Sequence, residues 1–301
     1  MRVTVRQATR DDEADVVGFT RDTWPDRGGD YLPDVFADWV AADGEAQRTF
    51  VAERDGEAVG IVQCVLLTDR EAWMQGMRVA PAARGQGVSV QLHHAAAAWA
   101  REQGATVGRN MVFSWNAPAL AASRAAGLEP ATEFRWAHPG PDAGAEPDLA
   151  ITADPAAAWT FWGSSAAREH LRGLALAPGE SWALCELTEA TLERAAEETF
   201  LAAVQDDGLR GLTFRVRDDE RETDEGELER WAEYGVAAWA DPAAAAALLD
   251  AVRADAATVG ADRVRVLLPE TAQAVSDAAL AGAGIADEPD FVLADDLTRR
   301  D

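Results

Sequence analysis

Apolar and polar residues alternate, or recur at helical spacing, through the first 140 residues. Alternation at 3–7 and apolar runs at 49–54 and 58–67 predict strands, the last two joined by Asp55 and Gly56, a pair that accepts positive φ in a hairpin turn. Further strands are predicted at 72–79, 106–114 and 132–138, helices at 12–22, 35–42, 88–102 and 117–126, and a loop at 24–34. The helix at 88–102 has an apolar stripe at Val88, Leu92, Ala95, Ala96 and Trp99, which is typical of a helix packed on a sheet.

The second half repeats this alternation of strands and helices. After a Pro- and Gly-rich linker at 139–148, helices are predicted at 154–172, 189–203, 242–257 and 272–283, strands at 181–187, 212–216, 231–239, 263–268 and 290–297, and an acidic loop at 218–227. The order resembles that of the first half, so we interpret the chain as two diverged copies of one α/β unit. The predicted fold class is α/β (α+β), a mixed sheet flanked by helices, with domains at 1–140 and 141–301.

Composition narrows the cellular context. The chain of 301 residues is 48% hydrophobic, yet it has no apolar run of about 18 residues and no apolar segment at its start of the kind found in signal peptides. Cys64 and Cys185 match no metal-ligand spacing. These features predict a cytoplasmic protein with reduced cysteines, no membrane association and no metal.

The charge is strongly negative and unevenly distributed. All 27 basic residues are arginine, and with 53 acidic residues they give a net charge of −26. Residues 1–140 have 19 acidic residues and 14 arginines, a net charge of −5, whereas residues 141–301 have a net charge of −21. Such a surface repels nucleic acids and anionic membranes and indicates a halophilic origin. A polyanionic cofactor would more readily bind the first half.

One segment of the first half combines a strand, a glycine turn and a helix. Arg84, Gly85, Gln86 and Gly87 lie between the predicted strand 72–79 and the helix at 88–102. Unpaired N–H groups at a helix start bind phosphate, glycines let the backbone approach the anion, and arginine adds a fixed cation. The alternative is a tight turn without function. The third glycine of a dinucleotide-binding motif is missing, and a Walker motif is excluded because the chain has no lysine.

The segment resembles the cofactor loop of the GNAT (N-acetyltransferase) superfamily, Arg/Gln-x-x-Gly-x-Gly/Ala. Arg84 to Val88 fit that pattern, and Ser89 replaces the usual Gly or Ala. The family's later Asn-x-x-Ala signature is matched at 116–119 and its Gly-aromatic helix end at 127–128, where Leu128 replaces the aromatic. The resemblance implies that acetyl-CoA binds as cosubstrate, with its pyrophosphate on Arg84, Gly85, Gln86, Gly87, Val88 and Ser89. It also implies that the backbone of Met77 and Val79 pairs with the pantetheine arm and that Asn116 faces this arm.

The catalytic positions of the family are altered. Ser123 stands where a Tyr often protonates the departing thiolate, and Gln75 stands where a carboxylate often accepts a proton from the amine. A serine is a poor acid and glutamine cannot act as a base. The candidate catalytic residues are therefore Glu71 and Ser123, with Asp69 and Glu133 as further candidate bases. Surface roles are the alternative for each acid, as they are for His93, His94 and His138.

Aromatic residues follow the first predicted helix. Trp24, Tyr31, Phe36 and Trp39 lie where the family forms its acceptor groove, so they are candidates for lining a pocket for an apolar acceptor; core packing is the alternative. In the second half, Asp241 occupies the position of the glycine turn, so this copy is expected not to bind CoA. Its expected role is to cover the first domain, shape the acceptor groove or support a homodimer.

The leading hypothesis is an enzyme that moves an acetyl or similar acyl group from acyl-CoA to an amine of a small molecule or peptide. The alternative is a non-catalytic CoA-binding sensor or partner module, which Gln75 and Ser123 favour.

Overall fold

The computed structural model describes residues 3–24, 29–223 and 226–299. The chain divides into two compact units. The first consists of Met1–Val112, Asn116–Pro130 and Val292–Asp301, and the second of Phe113–Trp115 and Ala131–Phe291. In the described residues no helix is long and apolar enough to cross a membrane.

The first unit is built on a mixed sheet. Its strands are β1 (Thr4–Gln7), β2 (Gln47–Arg54), β3 (Glu57–Leu66), β4 (Glu71–Val79) and β5 (Val107–Phe113, as far as Val112). The strands β1 to β4 are antiparallel neighbours, whereas β4 and β5 are parallel. The helices are α1 (Glu13–Thr20), α2 (Leu32–Ala42), α3 (Val88–Glu102) and α4 (Ala117–Ala125). These bounds lie close to the predicted ones, although residues 25–28 of the predicted loop lie outside the described residues.

Helices cover both faces of this sheet. On one face, Val88, Leu92, Ala96 and Trp99 of α3 are buried against β2, β3 and β4, so the predicted apolar stripe is confirmed apart from the half-buried Ala95. On the other face, Leu32 and Phe36 of α2 pack with Val51 and Ile61 of the sheet. Full burial of one Val, Leu, Ile or Phe side chain is worth roughly 1.5–3 kcal/mol.

The second unit also contains a mixed sheet flanked by helices. In chain order it contains β6 (Glu129–His138, from Ala131), β7 (Ile151–Thr152), α5 (Pro155–Ser164), α6 (Ala166–His170), β8 (Leu174–Leu176), β9 (Leu184–Glu186), α7 (Glu189–Glu198), β10 (Phe200–Gln205), β11 (Leu209–Glu222), β12 (Leu228–Trp239), α8 (Pro242–Thr258), β13 (Arg263–Pro269), α9 (Ala272–Leu280), β14 (Gly284–Ile285) and the start of β15 (Asp290–Asp296). Its main sheet has the order β6-β13-β12-β11-β10-β7, in which β12 and β13 are parallel. The α8 helix connects these two strands, as α3 connects β4 and β5.

Three predicted elements of the second half differ from the structure. The helix at 154–172 breaks at Ser165, which is extended and caps α6 through Arg168 N–H. The helix at 189–203 ends at Glu198, because 200–205 pair with β11 instead. The acidic loop at 218–227 is largely strand up to Glu222, and its residues 224–225 lie outside the described residues.

The expected domain boundary at 140 also differs from the division of the structure. Strand β6 pairs with β13, with Trp136 opposite Leu267, so most of β6 belongs to the second unit. Conversely, residues from Val292 onward belong to the first unit, where Leu297 is buried in the α3 core and donates its N–H to the Thr106 carbonyl at 3.0 Å. The composition of the linker could not predict that β6 belongs to the second unit and the chain end to the first. Both assignments depend on pairing between segments that are distant in the sequence.

Candidate functional site

Strand β4 contains a bulge in the middle of the first sheet. Between Gln75 and Arg78, β4 has one residue more than the facing part of β3. Gly76 adopts a positive φ of 64°. A Cβ atom at this position would lie 2.6 Å from Cη2 of Trp39, so only glycine fits both the backbone and the packing.

At the level of the bulge β4 has separated from its parallel neighbour. The pairing between β4 and β5 covers Glu71–Trp73 and Val107–Arg109. Further along, β4 remains paired with β3, as Val79 opposite Gly60 shows. The two parallel strands therefore enclose an opening that begins after Trp73.

One backbone edge of β4 faces this opening. The N–H of Ala80 donates to the Val59 carbonyl of the preceding segment at 2.9 Å. Because successive peptide groups of a strand alternate in direction, the N–H of Val79 is directed to the opposite side, and that of Met77 follows the same alternation. This edge can hydrogen-bond an extended ligand in the way a further strand would.

The turn after β4 places two glycines beside open space. Pro81–Ala83 form a short 3-10 turn, and Gly85 and Gly87 follow with φ values of 71° and 74°. A Cβ atom at either glycine would have no neighbouring heavy atom within 4 Å. Positive φ rather than crowding therefore selects glycine here, and the space beside the backbone can accommodate another group.

The start of α3 favours an anion. Gly87 is its N-cap, contributes no side-chain hydrogen bond, and no acidic residue lies in the first turn of this 15-residue helix. The first N–H groups of a helix lack acceptors within it, and the helix dipole adds partial positive charge there. Val88, Ser89 and Val90 supply these N–H groups, and the half-buried Ser89 offers a small hydroxyl beside them.

Two arginines accompany this turn. Arg84 is exposed and donates from Nε to the Val79 carbonyl at 3.1 Å. Arg54, at the end of β2, brings Nη1 to 3.5 Å from both the Gln86 Oε1 and the Ala82 carbonyl. Arg54 was not among the residues expected at this turn, although the hairpin predicted at 55–56 could have placed it opposite.

The Asn116 and Ser123 side chains both have partners in the first unit. Asn116 caps α4, with Oδ1 accepting from Ala119 N–H at 3.2 Å. Ser123 is buried, and its Oγ accepts from Asn110 Nδ2 of β5 at 3.0 Å. The Ser123 hydroxyl proton must therefore be donated in another direction. This position allows Ser123 to donate a hydrogen bond, and Asn116 retains the two donors of its amide nitrogen.

Glu71 lies at the closed end of the opening. It is buried and accepts from Arg109 Nη1 at 2.5 Å and from Thr68 Oγ1 at 3.2 Å. At about 3.3 Å per residue, six residues along β4 place it about 20 Å from Met77. Glu71 therefore lies at the opposite end of β4 from the glycine turn. Its contacts indicate that it stabilises the β4–β5 pair.

The other titratable candidates are dispersed. His93 on α3 is buried and its Nε2 lies 3.0 Å from Asp295 Oδ2, whereas His94 and Asp69 are exposed. Glu133 and His138 belong to the second unit. Among the described residues no group of three or more His, Cys, Asp or Glu side chains is arranged to hold a metal ion.

Three of the four aromatic residues predicted to line an acceptor pocket surround the bulge. The Arg78 guanidinium lies 4.2 Å from the Trp24 ring centre and 5.8 Å from that of Tyr31, whose ring is 6.0 Å from that of Trp39. We name Trp24, Tyr31 and Trp39 the aromatic wall. Phe36 is fully buried in the core, so for this residue the packing alternative is correct.

The corresponding helix start of the second unit is closed by its own side chain. Asp241 is the N-cap of α8, and its Oδ1 accepts from Ala244 N–H at 3.0 Å. Arg210 donates to both carboxylate oxygens at 2.8–3.0 Å. The hydrogen bond from Ala244, followed by Arg210, lowers the pKa of this carboxyl. An incoming phosphate would meet a fixed negative charge.

Comparisons with known proteins agree with this geometry. The family model "Acetyltransferase (GNAT) family" matches residues 14–127. The fold is similar to that of a GCN5-related N-acetyltransferase from Sphaerobacter thermophilus, with 16% identity, coverage of 98% of this chain and 96% of that chain, and a TM-score of 0.60. It is also similar to a protein from Thermoplasma acidophilum assigned to the acetyltransferases, with 17% identity, coverage of 97% and 99%, and a TM-score of 0.57. The search of curated proteins found no match.

Proposed function

We propose that this chain, whose residues 14–127 form an acetyltransferase domain of the GNAT family, transfers an acetyl or similar acyl group from acyl-CoA to an amine. The observation that carries the proposal is the open edge of β4 beside the glycine turn at 84–89. An extended thioester cofactor needs both a backbone edge for its amide-containing arm and an anion site at the end of that edge.

The proposed cofactor site has three parts. The pyrophosphate binds the N–H groups between Gly85 and Ser89, where the helix dipole and Arg84 favour negative charge. The pantetheine arm pairs with the backbone of Met77 and Val79. Asn116 faces the arm from the α4 side. Arg54 joins the phosphate site as a second cation.

Catalysis in this proposal depends on placement rather than on a strong acid or base. The cofactor holds the thioester carbonyl against the bulge of β4, where strand N–H groups polarise it. The amine nitrogen attacks the carbonyl carbon, the C–S bond breaks, and the thiolate leaves. Ser123 can donate a hydrogen bond to the departing sulfur, because its Oγ already accepts from Asn110. Glu71 is a weaker candidate than its position in the sequence indicates, since Arg109 neutralises it.

We propose that the second unit is a diverged copy of the first. Both units have a parallel strand pair connected by one helix, and β12 contains an extra residue at Gly235 as β4 does at Gly76. Its closed helix start at Asp241 supports a role without CoA, in which it covers the first domain, shapes the acceptor groove or supports a dimer.

A second candidate function is CoA binding without turnover, as a sensor or partner subunit. Gln75 favours this function, because a glutamine cannot accept the proton that the amine loses. The net charge of −26 argues against nucleic acid or an anionic membrane as the acceptor in either case.

Release of free thiol from acetyl-CoA by the full chain in molar salt, across a panel of amines, tests the proposal. Thermal unfolding with and without CoA is measured in parallel, since a ligand of the native state raises the melting temperature. Stabilisation together with amine-dependent thiol release is expected. Stabilisation without release from any amine would favour the binding module, and the absence of both would contradict the cofactor site.

A further inference from the structure

The position where a base is expected is occupied by an amide pair. Gln75 Nε2 donates to Gln63 Oε1 of the neighbouring strand at 2.8 Å. Gln63 is 1% exposed, and its Nε2 is buried without a hydrogen-bond partner in the described chain. A buried, close-packed side chain of this kind has little freedom to move, so it fixes the orientation of the half-buried Gln75. The Gln75 Oε1 then remains as an acceptor that cannot take up a proton.

The carboxylates of Asp30, Asp43 and Glu71 are already bound to protein groups. Asp30, whose side chain is fully buried, accepts from Arg78 Nε at 2.7 Å and Nη2 at 3.2 Å. Asp43 accepts from the N–H and hydroxyl of Thr49 at 2.9–3.0 Å. Glu71 is paired with an arginine, as described above. Asp34 and Asp38 lie on the exposed side of α2, away from Leu32 and Trp39 by helical periodicity.

An alkyl amine is poorly suited to such a site. A lysine-like amine has a pKa of about 10.4, so only about one molecule in 2,500 is neutral at pH 7. To react, such an ammonium group must first lose a proton to a base, and Asp30, Asp43 and Glu71 are engaged with protein groups. An aromatic amine shares its nitrogen lone pair with the ring and is neutral at pH 7, so it needs no base before it attacks.

The aromatic wall fits the same acceptor. Trp24, Tyr31 and Trp39 surround the bulge, and Tyr31 is 46% exposed. Arg78 lies over two of these rings, and Asp30 balances its charge, so the wall carries no net charge. The rings of Tyr31 and Trp39 meet edge to face, with an angle of 68° between their planes. A further aromatic ring can pack against them in an offset or edge-to-face arrangement.

We propose that the acceptor is a weakly basic aromatic amine, stacked on the aromatic wall with an N–H donated to Gln75 Oε1. This inference rests on the proposed acyl transfer and adds the substrate class. The neutral nitrogen attacks the thioester carbonyl carbon, the C–S bond breaks, and an amide forms. The nitrogen loses one proton to water and the thiolate gains one, so Gln75 orients the amine and takes no part in proton transfer.

The test uses two acceptors with the same ring, 4-methoxyaniline and 4-methoxybenzylamine, with acetyl-CoA and the full chain in molar salt. At pH 7 we expect kcat/KM to be at least tenfold higher for the aniline, and its pH profile to be flat from pH 6 to 9. The benzylamine rate should rise about tenfold per pH unit, as its own nitrogen loses a proton. A faster benzylamine, or an aniline profile that falls at low pH through an enzyme group, would overturn the inference.

Variants separate orientation from structure. We expect Gln75→Ala to lower kcat/KM for the aniline about tenfold, as the loss of one hydrogen bond allows, with CoA affinity unchanged. Gln63→Met, of similar volume, should also lower kcat/KM for the aniline, through a higher KM. Its melting temperature should stay within a few degrees of that of the wild type. Unchanged aniline kinetics in Gln75→Ala would overturn the role of Gln75.

Two outcomes distinguish this inference from the proposed function. If CoA stabilises the protein and only the benzylamine is acetylated, acyl transfer stands and the aromatic class is wrong.

Asp26 lies outside the described residues, so Asp26→Asn tests whether a base comes from there. Loss of the aniline reaction in that variant would overturn the inference, whereas an unchanged flat pH profile supports it.

Discussion

Helices α3 and α8 each follow a strand that contains a bulge and each lead to a parallel neighbour, yet they begin differently. The first starts at Gly87, in the left-handed conformation and with open space beside it. The second starts at Asp241, whose carboxylate accepts from the Ala244 N–H and from Arg210. The first helix start therefore leaves its N–H groups without a side-chain acceptor from its N-cap, whereas the second bonds one of them to the side chain of its own N-cap.

The bulges differ in the same direction. At Gly76 the neighbouring Trp39 belongs to a partly exposed aromatic wall, whereas at Gly235 the Phe214 ring fills the space and is fully buried. The first unit thus keeps accessible surface at the two positions proposed for the cofactor and the acceptor. The second unit uses the corresponding positions for packing and ion pairs.

The largest expected effect is the loss of the anion site in Gly87→Glu. The substitution adds bulk and negative charge where the pyrophosphate is proposed to bind, so CoA should no longer bind at millimolar concentration. Gly104→Glu is the matched control, because Gly104 also has a positive φ, of 100°, but lies beyond the other end of α3. Equal CoA affinity in the two variants, measured by calorimetry, would show that the anion binds elsewhere.

Leu297→Ala tests whether the first unit depends on the end of the chain. Leu297 is 2% exposed in the α3 core, so the substitution should cost about 2–5 kcal/mol in the free energy of unfolding. Leu280→Ala, at a leucine that is 77% exposed, should cost far less. Urea unfolding measures both. If the two variants are equally stable, the first core does not depend on the end of the chain. A protein ending near residue 140 would then keep this core intact.

Asp290→Asn addresses the buried charges of the second unit. Burial raises the pKa of Asp290 to about 7, against the effects of the Trp136 hydrogen bond and Arg265. A carboxyl with a raised folded pKa stabilises the fold below its unfolded pKa of about 3.9, and this contribution is lost as the pH rises through 7. The variant should therefore melt higher than the wild type at pH 8, with a gain that shrinks toward pH 4. Asp287→Asn, at an exposed position, should show no such trend in thermal scans.

The smallest effect is expected for Asp241→Ala. Loss of an N-cap costs about 1 kcal/mol, and the surface ion pair with Arg210 adds little. The melting temperature should fall by a few degrees while CoA affinity stays the same. A change in CoA affinity would mean that the second helix start takes part in cofactor binding, and the contrast between the units would then be wrong.

Local patterns predicted the parts of the molecule that local forces determine. The helix predicted at 88–102 is Val88–Glu102, because its apolar spacing and the preceding glycines both favour it. By contrast, residues 200–205 have apolar residues that suit a helix or a strand, and only pairing with β11 makes them a strand. The amide pair of Gln63 and Gln75 depends on the register of β3 and β4, and the Arg78–Asp30 contact depends on a loop. No spacing of residues in the sequence therefore indicated either contact.

The most direct measurement of the central claim is a calorimetric titration of the full chain with acetyl-CoA in molar salt. We predict one molecule bound per chain, because one helix start is open and the other is closed by Asp241. Two molecules per chain would contradict the difference between the units, and no binding would contradict the cofactor site itself.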